Sequence, residues 1–342
     1  MNNRPAGGDC RCGSSLDGLV YAAVTAQQRV SEQTAAGKPW GKGCLIRNDE
    51  GVMFMNREKG KAAPYLFMLP ALVIYLSVII FPVFYSLYIS LQSGTGISNM
   101  KFAGLKNYSQ LIHDEVFWLS FRHTVVWIVL TVFVTTTVSL LLAVLMNQKF
   151  KGRTFFRAFF YFPSVISAIA VAIIWRWIYN PQIGFINQFT KALGIDFTQT
   201  WISTPKTALI ALFIASLWQA IGQPMILFLA GLGGISPDVL EASSIDGANA
   251  FQQFFRITVP LMKDTFIMVI STLLIAAMKV YDVVKGLTDG GPNNATQVLA
   301  SYMYNQVFQY NNVGYGTAIA IVMVLMMLVV IIPYMSFTAK KE

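Results

Sequence analysis

The chain has 342 residues, 55% of them apolar and 12% charged, with a mean hydropathy of +0.55. Soluble domains carry roughly a quarter charged residues, and 16 Asp and Glu cannot cover a water-soluble body of this size, so lipid is the expected solvent. The net charge of +9 would suit nucleic acid, but the cations form short clusters between long uncharged stretches, without a basic face or an RNA-binding motif. The charge therefore reads as a topology signal and excludes a nucleic-acid partner.

Residues 1–55 are polar, rich in Gly, Ala, Gln and Arg, and lack a sustained hydrophobic period, so disorder is expected. The three cysteines, Cys10, Cys12 and Cys44, all lie here at spacings that do not suit a zinc knuckle. No metal site is expected, and no signal peptide, because an apolar h-region is missing. Met53 and Met55 precede Asn56-Arg57-Glu58-Lys59-Gly60-Lys61, a sensible cytoplasmic start. The first 52 to 54 residues are accordingly expected to be an upstream-start artefact or a dispensable tail.

Beyond Lys61 six apolar runs follow, each long enough to cross a bilayer core of about 30 Å. They are expected at Leu66 to Leu91, Thr124 to Met146, Phe159 to Trp177, Thr207 to Leu229, Phe266 to Val284 and Thr317 to Phe337. Continuous runs exclude the short alternating segments of a β-barrel, so the expected fold is all-α, a polytopic membrane bundle of six transmembrane helices. The link Lys149-Phe150-Lys151-Gly152-Arg153-Thr154-Phe155-Phe156-Arg157 carries four cations and no anion, and should be cytoplasmic. Both termini are then cytoplasmic, in keeping with Arg57, Lys59 and Lys61 at one end and Lys340 and Lys341 at the other.

The long segment between the fourth and fifth spans, residues 233–263, also faces the cytoplasm in this topology. Ser236 suits an N-cap, Pro237 the first helical position, and Asp238 the positive helix end, predicting a short helix from Pro237 to about Asp246. Gly247 can end it in a left-handed conformation, and a second helix is expected from near Ala248, with Phe251, Phe254 and Phe255 on one stripe. Pro260 should stop or kink the chain before the fifth span. Without further pattern this would be an ordinary amphipathic loop on the membrane surface.

The pattern is present. Glu241-Ala242-Ser243, then Gly247, Ile257 and Pro260, resemble the E-A-A loop of permease subunits in binding-protein-dependent ABC importers, with Ser243 in place of the second Ala. Gly222-Gln223-Pro224-Met225 and Asp289-Gly290-Gly291-Pro292-Asn293 resemble the sugar-importer branch, on the side of the maltose-type first permease. The resemblance covers about residues 62–338 and implies a type I importer permease. Its parts would be an N-terminal transmembrane helix and outer loop over residues 56–115, and a permease core over 116–338 with the coupling loop 233–263. It further implies contact with an ATPase subunit through Glu241, Ala242, Ser243, Asp246, Gly247, Ile257 and Pro260. The implied partners are a second homologous permease, two ATPase subunits, an extracytoplasmic solute-binding protein, a sugar and the lipid of a bacterial cytoplasmic membrane. The chain itself has no G-x-x-x-x-G-K-[ST] phosphate cradle, so ATP and Mg are expected on the partner ATPase, and no cofactor here.

Polar groups at depth mark the expected solute path. In the fourth span these are Gln219 and Gln223, with helix-breaking Gly222 and the neighbouring Met225. In the fifth they are Lys279 and Tyr281, with Lys279 and Asp282 three apart on one helical face, and the resemblance to the maltose-type permeases implies that the small apolar Ala277 and Val280 line the path as well. That pair is either a neutralised couple at the outer interface or a polar element of an outer gate, and Trp218 and Tyr281 are either packing or path residues. His113 and His123, the only histidines, are not spaced as a metal pair, and no catalytic constellation exists, so a non-catalytic transport subunit is expected. The alternative is an ion-coupled secondary transporter, for which Asp282 would be the sole buried carboxylate. The solute could be a mono- or oligosaccharide or a glycerol-phosphate-like molecule.

Overall fold

A computed structural model describes residues 47–48, 51–52, 63–96, 99–194 and 199–339. Two units divide the chain between Val73 and Ile74. In the first, β1 (Arg47–Asn48) pairs antiparallel with β2 (Gly51–Val52). The expectations for the rest of residues 1–55, the three cysteines included, lie outside the described residues.

Three continuous helical runs are long and apolar enough to cross a membrane, Phe67–Ser90, Glu115–Asn147 and Val313–Ser336, and three bent pairs bring the number to six. The first run comprises α1 (Ala63–Tyr75), a π turn at Leu76–Ile80, and α2 (Phe81–Ser90). Pro82 has no N–H to return to the Val78 carbonyl, and the π turn absorbs that missing bond. A short antiparallel pair, β3 (Gln92–Ser93) with β4 (Lys101–Phe102), and α3 (Lys106–Ile112) follow.

The second crossing is α4 (Glu115–Leu130), a π turn at Thr131–Thr135, and α5 (Thr136–Asn147). It starts well before Thr124, its expected beginning, because Asp114 caps it. Its 33 residues reach about 50 Å at 1.5 Å per residue, so its first turns stand clear of the hydrocarbon core. Asp114 Oδ1 accepts from the N–H groups of Val116 (2.8 Å) and Phe117 (3.2 Å). Its Oδ2 accepts from the hydroxyls of Tyr302 (2.5 Å) and Tyr315. Burial pushes this carboxyl up, but the hydrogen bonds from Tyr302, Tyr315, Phe117 and Val116 outweigh it and hold the group below the ordinary carboxylate value.

The remaining spans bend. The third is α6 (Arg153–Tyr161), a 3-10 turn at Phe162–Val165, and α7 (Ala168–Ile178), bent by 104°. A straight helix from Phe159 to Trp177 was expected; Pro163 and the extended Ile166 and Ser167 break it, and Ser167 restarts the helix by accepting from Ala170 N–H. A helix α8 (Phe185–Ala192) leads to the fourth span, α9 (Pro205–Ala220) and α10 (Gly222–Gly233), which meet at 45°. Next come α11 (Pro237–Ile245), α12 (Ala250–Gln253), a π turn at Phe254–Thr258, and α13 (Val259–Leu261). The fifth span, α14 (Lys263–Met278), meets the segment Ala250–Leu261 at 70°.

The fifth span ends at Met278, not near Val284. Lys279 is its C-cap, and Asp282 opens a separate helix, α15 (Asp282–Leu287). The two residues therefore share no helical face, and no ion pair joins them among the described residues. Helix α16 (Leu299–Tyr304), a π turn at Asn305–Gln309 and α17 (Val313–Ala339) complete the chain.

The core runs the length of the bundle as three clusters. Leu111, Phe117, Leu299, Tyr302 and Tyr315 lie around Asp114; Trp127, Ala172, Leu212, Val284 and Leu287 form the middle; Ala143, Met225, Phe228, Met262 and Val269 fill the end nearest α11. Small side chains let the backbones close up, as lipid-embedded bundles require. Between the third and fourth spans this shows at Gly222, where any Cβ would stand 2.9 Å from both the Phe160 carbonyl oxygen and Tyr161 Cα.

Two outcomes test this packing. Asp114→Ala, which removes a cap and orphans two tyrosine hydroxyls, is expected to destabilise the purified protein by about 2 to 4 kcal/mol. Because the folded-state carboxyl is depressed, its contribution should be full above about pH 5 and lost as pH falls through its folded value, as thermal midpoints across that range would report. Gly222→Val should cost about 1 to 3 kcal/mol or more, since backbone atoms cannot yield; an unchanged midpoint would mean that the two segments do not touch.

Candidate functional site

The bends in the third and fourth spans enclose, with α14, a cavity of about 270 Å³, just below the usual range of about 300 to 1,000 Å³ for small-molecule sites. Its polar lining is Ser164, Ser216, Gln219, Gln223 and Thr272. The apolar lining is Ala220, Pro224, Leu227, Val269, Leu273 and Ala276, and no charged side chain takes part.

These side chains are fixed by the breaks themselves. Gln219 Nε2 donates to the Ile166 carbonyl at 2.7 Å, satisfying a group freed where the third span is interrupted. Ser139 Oγ on α5 donates to the Ile221 carbonyl at the break of the fourth span (3.0 Å, buried). Ser164 Oγ returns to the Tyr161 carbonyl at 2.6 Å, and Thr272 Oγ1 to the Met268 carbonyl at 2.8 Å. The Gln223 amide and the Ser216 hydroxyl have no hydrogen-bond partner among the described residues and are free to meet a ligand.

Of the expected path residues, Gln219 and Gln223 line this cavity. Gly222, Met225 and Ala277 do not: Gly222 is pressed against the third span, Met225 is wholly buried, and Ala277 is 2% exposed in the central core. Lys279, Val280 and Tyr281 lie past the end of α14, where the Tyr281 ring packs at a tilt against Tyr304 with ring centroids 4.8 Å apart. Trp218 packs on Trp175 at 6.0 Å and is absent from the lining. Ser164, Ser216 and Thr272 were not anticipated. Two of them had a signal, since Ser216, Gln219, Ala220 and Gln223 recur at i, i+3, i+4 and i+7, as do Val269, Thr272, Leu273 and Ala276. Among the described residues no three His, Cys, Asp or Glu gather as metal ligands.

The segment between the fourth and fifth spans folds as a braced helical pair. Ser236 Oγ accepts from the Asp238 N–H, and Pro237 occupies the first turn of α11. At its end Gly247 takes φ +82, while its N–H bonds the Ser244 carbonyl (3.1 Å) and that of Ala248 bonds the Ser243 carbonyl (3.0 Å). Those two bonds form a Schellman cap, which favours glycine at this position. Helix α12 begins at Ala250, later than Ala248, because Asn249 is its cap and exchanges hydrogen bonds of 2.9 Å with Gln252 in a capping box. Gln253 Nε2 then reaches back to Ser244 Oγ at 2.7 Å, tying the two helices.

Ser243, the one departure from the E-A-A pattern, is 6% exposed and bonds the Leu240 carbonyl, so its small size is used in packing. Glu241, Ala242, Asp246 and Gly247 are exposed, and Ile245 and Phe251 stand out at 87% and 71% exposure. Ile257 is half-buried in the π turn and Pro260 lies in α13, at the 70° turn into α14. The pair is a stiff projection with acidic and apolar groups outward, joined to the fifth span at a sharp angle.

Residues 135–339 match the family model described as "Binding-protein-dependent transport system inner membrane component". The chain is 36% identical over 283 residues to a probable ABC transporter permease protein of Pyrococcus horikoshii, covering 82% of this chain and 97% of that one. It is 33% identical to the multiple sugar-binding transport system permease protein MsmF of Streptococcus mutans (85% and 100% covered). Identity is 35% to the trehalose/maltose transport system permease protein MalF of Thermococcus litoralis (79% and 92% covered). In fold it is similar to a chain of a bacterial alginate ABC transporter solved with an alginate pentasaccharide-bound periplasmic protein, with a TM-score of 0.72 at 20% identity, over 81% of this chain and 96% of that one. The chain belongs to the family of inner-membrane permease components of binding-protein-dependent ABC transport systems.

Proposed function

We propose that this permease is a non-catalytic subunit of an ATP-driven importer and that, with a second homologous permease, it forms the path of a neutral saccharide. The cavity carries the reading. Hydroxyl and amide groups line it beside small apolar faces, which suits a polyol, and no cation is there to receive a carboxylate or phosphate. A glycerol-phosphate-like solute is disfavoured for that reason. The transport systems for multiple sugars and for trehalose and maltose to which its relatives are assigned by name support the same class. The modest volume and one-sided placement leave room for the second permease to complete the site.

The energy must come from elsewhere. We assign ATP and Mg to two separate ATPase subunits, and contact with them to α11, through Glu241, Ala242, Ser243, Asp246 and Gly247, with Ile257 and Pro260 setting the angle at which the pair joins the fifth span. A braced helical pair transmits displacement, where a loose loop would absorb it. The cationic link Lys149 to Arg157 supports placing this end of the bundle, and both termini, in the cytoplasm. The opposite end then meets a solute-binding protein. An ion-coupled carrier needs a carboxylate at depth, and its candidate Asp282 is exposed beyond the end of α14.

Two variants test the halves of this proposal. In vesicles containing the complete transporter, Gln223→Ala should slow saccharide uptake about two- to tenfold, the worth of one hydrogen bond, with stimulation of the ATPase by binding protein retained. Unchanged uptake would remove the cavity from the path. Gly247→Asp, which puts a side chain at a left-handed position and a charge on the ATPase-facing surface of α11, should abolish uptake and loosen the ATPase. A variant with wild-type uptake and ATPase association would sink the coupling role of α11.

A further inference from the structure

The link between the second and third spans has a geometry that transport does not explain. The segment Arg153–Val165, which holds α6, meets α7 at 104°, so it runs nearly perpendicular to that half of the third span, starting just after the link that follows α5. Around it Arg153 and Arg157 fall on one face at i and i+4, while Phe155 and Phe159 fall on the other. Phe155, Phe159 and Phe162 are 67%, 60% and 64% exposed, and the first two stack with centroids 6.4 Å apart. A short helix with cations on one side and exposed rings on the other, set nearly perpendicular to a crossing segment, is the form that rests in a membrane interface.

The cations divide into two groups. Arg157 is used internally: its Nε and Nη2 donate to the Met146 carbonyl at 3.3 and 2.7 Å, closing the C-terminal end of α5. Lys149, Lys151 and Arg153 are exposed, and among the described residues none has a carboxylate within ion-pair distance. They stand within five residues of chain beside rings that would sit at acyl depth, where the groups of opposite charge are lipid phosphates.

We propose that the elbow formed by residues 148–152 and α6 binds anionic phospholipid headgroups, with Lys149, Lys151 and Arg153 holding the phosphates and Phe155 and Phe159 inserted among the acyl chains. The cytoplasmic placement above decides only which leaflet supplies the lipid. An acidic protein surface would satisfy the cations but leave the opposite aromatic face uncovered.

The test uses the whole purified transporter in bilayers of equimolar phosphatidylcholine and phosphatidylglycerol, with retained lipid measured after detergent extraction. The wild type should keep phosphatidylglycerol preferentially, and rising salt should erode that preference. K149Q/K151Q should reduce it about fivefold per charge removed, while K149R/K151R should preserve it. Equal retention of both lipids by the wild type, a salt-independent preference, or an unaltered preference in K149Q/K151Q would overturn the proposal. Loss of a partner subunit from K149Q/K151Q with its lipid preference intact would assign the cations to protein instead. None of these readouts involves solute or ATP, so a negative result would leave the importer reading standing.

Discussion

A carbonyl freed inside a membrane has no water to turn to, and this fold depends on how that constraint is met. Three of its crossings are broken, and each break leaves backbone groups that lipid cannot satisfy. Side chains from neighbouring helices answer two of these breaks, Gln219 donating to Ile166 in the third span and Ser139 to Ile221 in the fourth, while Arg157 closes the end of α5 at Met146, Arg176 reaches Gly286 in α15 and Tyr179 ties to Ala211 of α9. Each such bond joins segments distant in sequence or closes a helix end. The bends are therefore stable features of the bundle and not defects.

The same bends shape the candidate site. At the fourth span the 45° break turns α10 away from α9, and with the interrupted third span it opens a hydroxyl-lined space that straight helices would have closed. At the fifth span the 70° turn joins a doubly capped helical pair to a crossing that contributes Val269, Thr272, Leu273 and Ala276 to that space. The chain from α11 to the cavity wall is thus a run of short helices joined by hydrogen-bonded caps and one 70° turn. At the other end Asp114 gathers the start of α4, α16 and α17 around one carboxylate.

Much of this was legible in the chain. Six apolar runs give the crossings because hydropathy is a local property, and the caps of α11 follow from Ser236, Pro237 and Gly247 because capping is decided within a few residues. What the sequence did not disclose is non-local. The knot at Asp114 joins residues 188 and 201 positions apart, and nothing near Asp114 announces two tyrosines. Two local readings missed such features: the second crossing begins at Glu115 under its Asp114 cap and not at Thr124, and Lys279 with Asp282 read as one helical face when a helix end lies between them. Gly222 was legible as special, but its reason is a neighbouring backbone at 2.9 Å and not an opening toward solute.

We propose a charge-free cavity in this chain driven from a cytoplasmic loop by ATP hydrolysed elsewhere. The most direct measurement is uptake of a labelled neutral oligosaccharide into vesicles bearing the complete transporter and its binding protein, with internal ATP and ion gradients set independently. Uptake that requires ATP and persists when every ion gradient is collapsed is the expected result. Accumulation that follows an imposed ion gradient without ATP would contradict it.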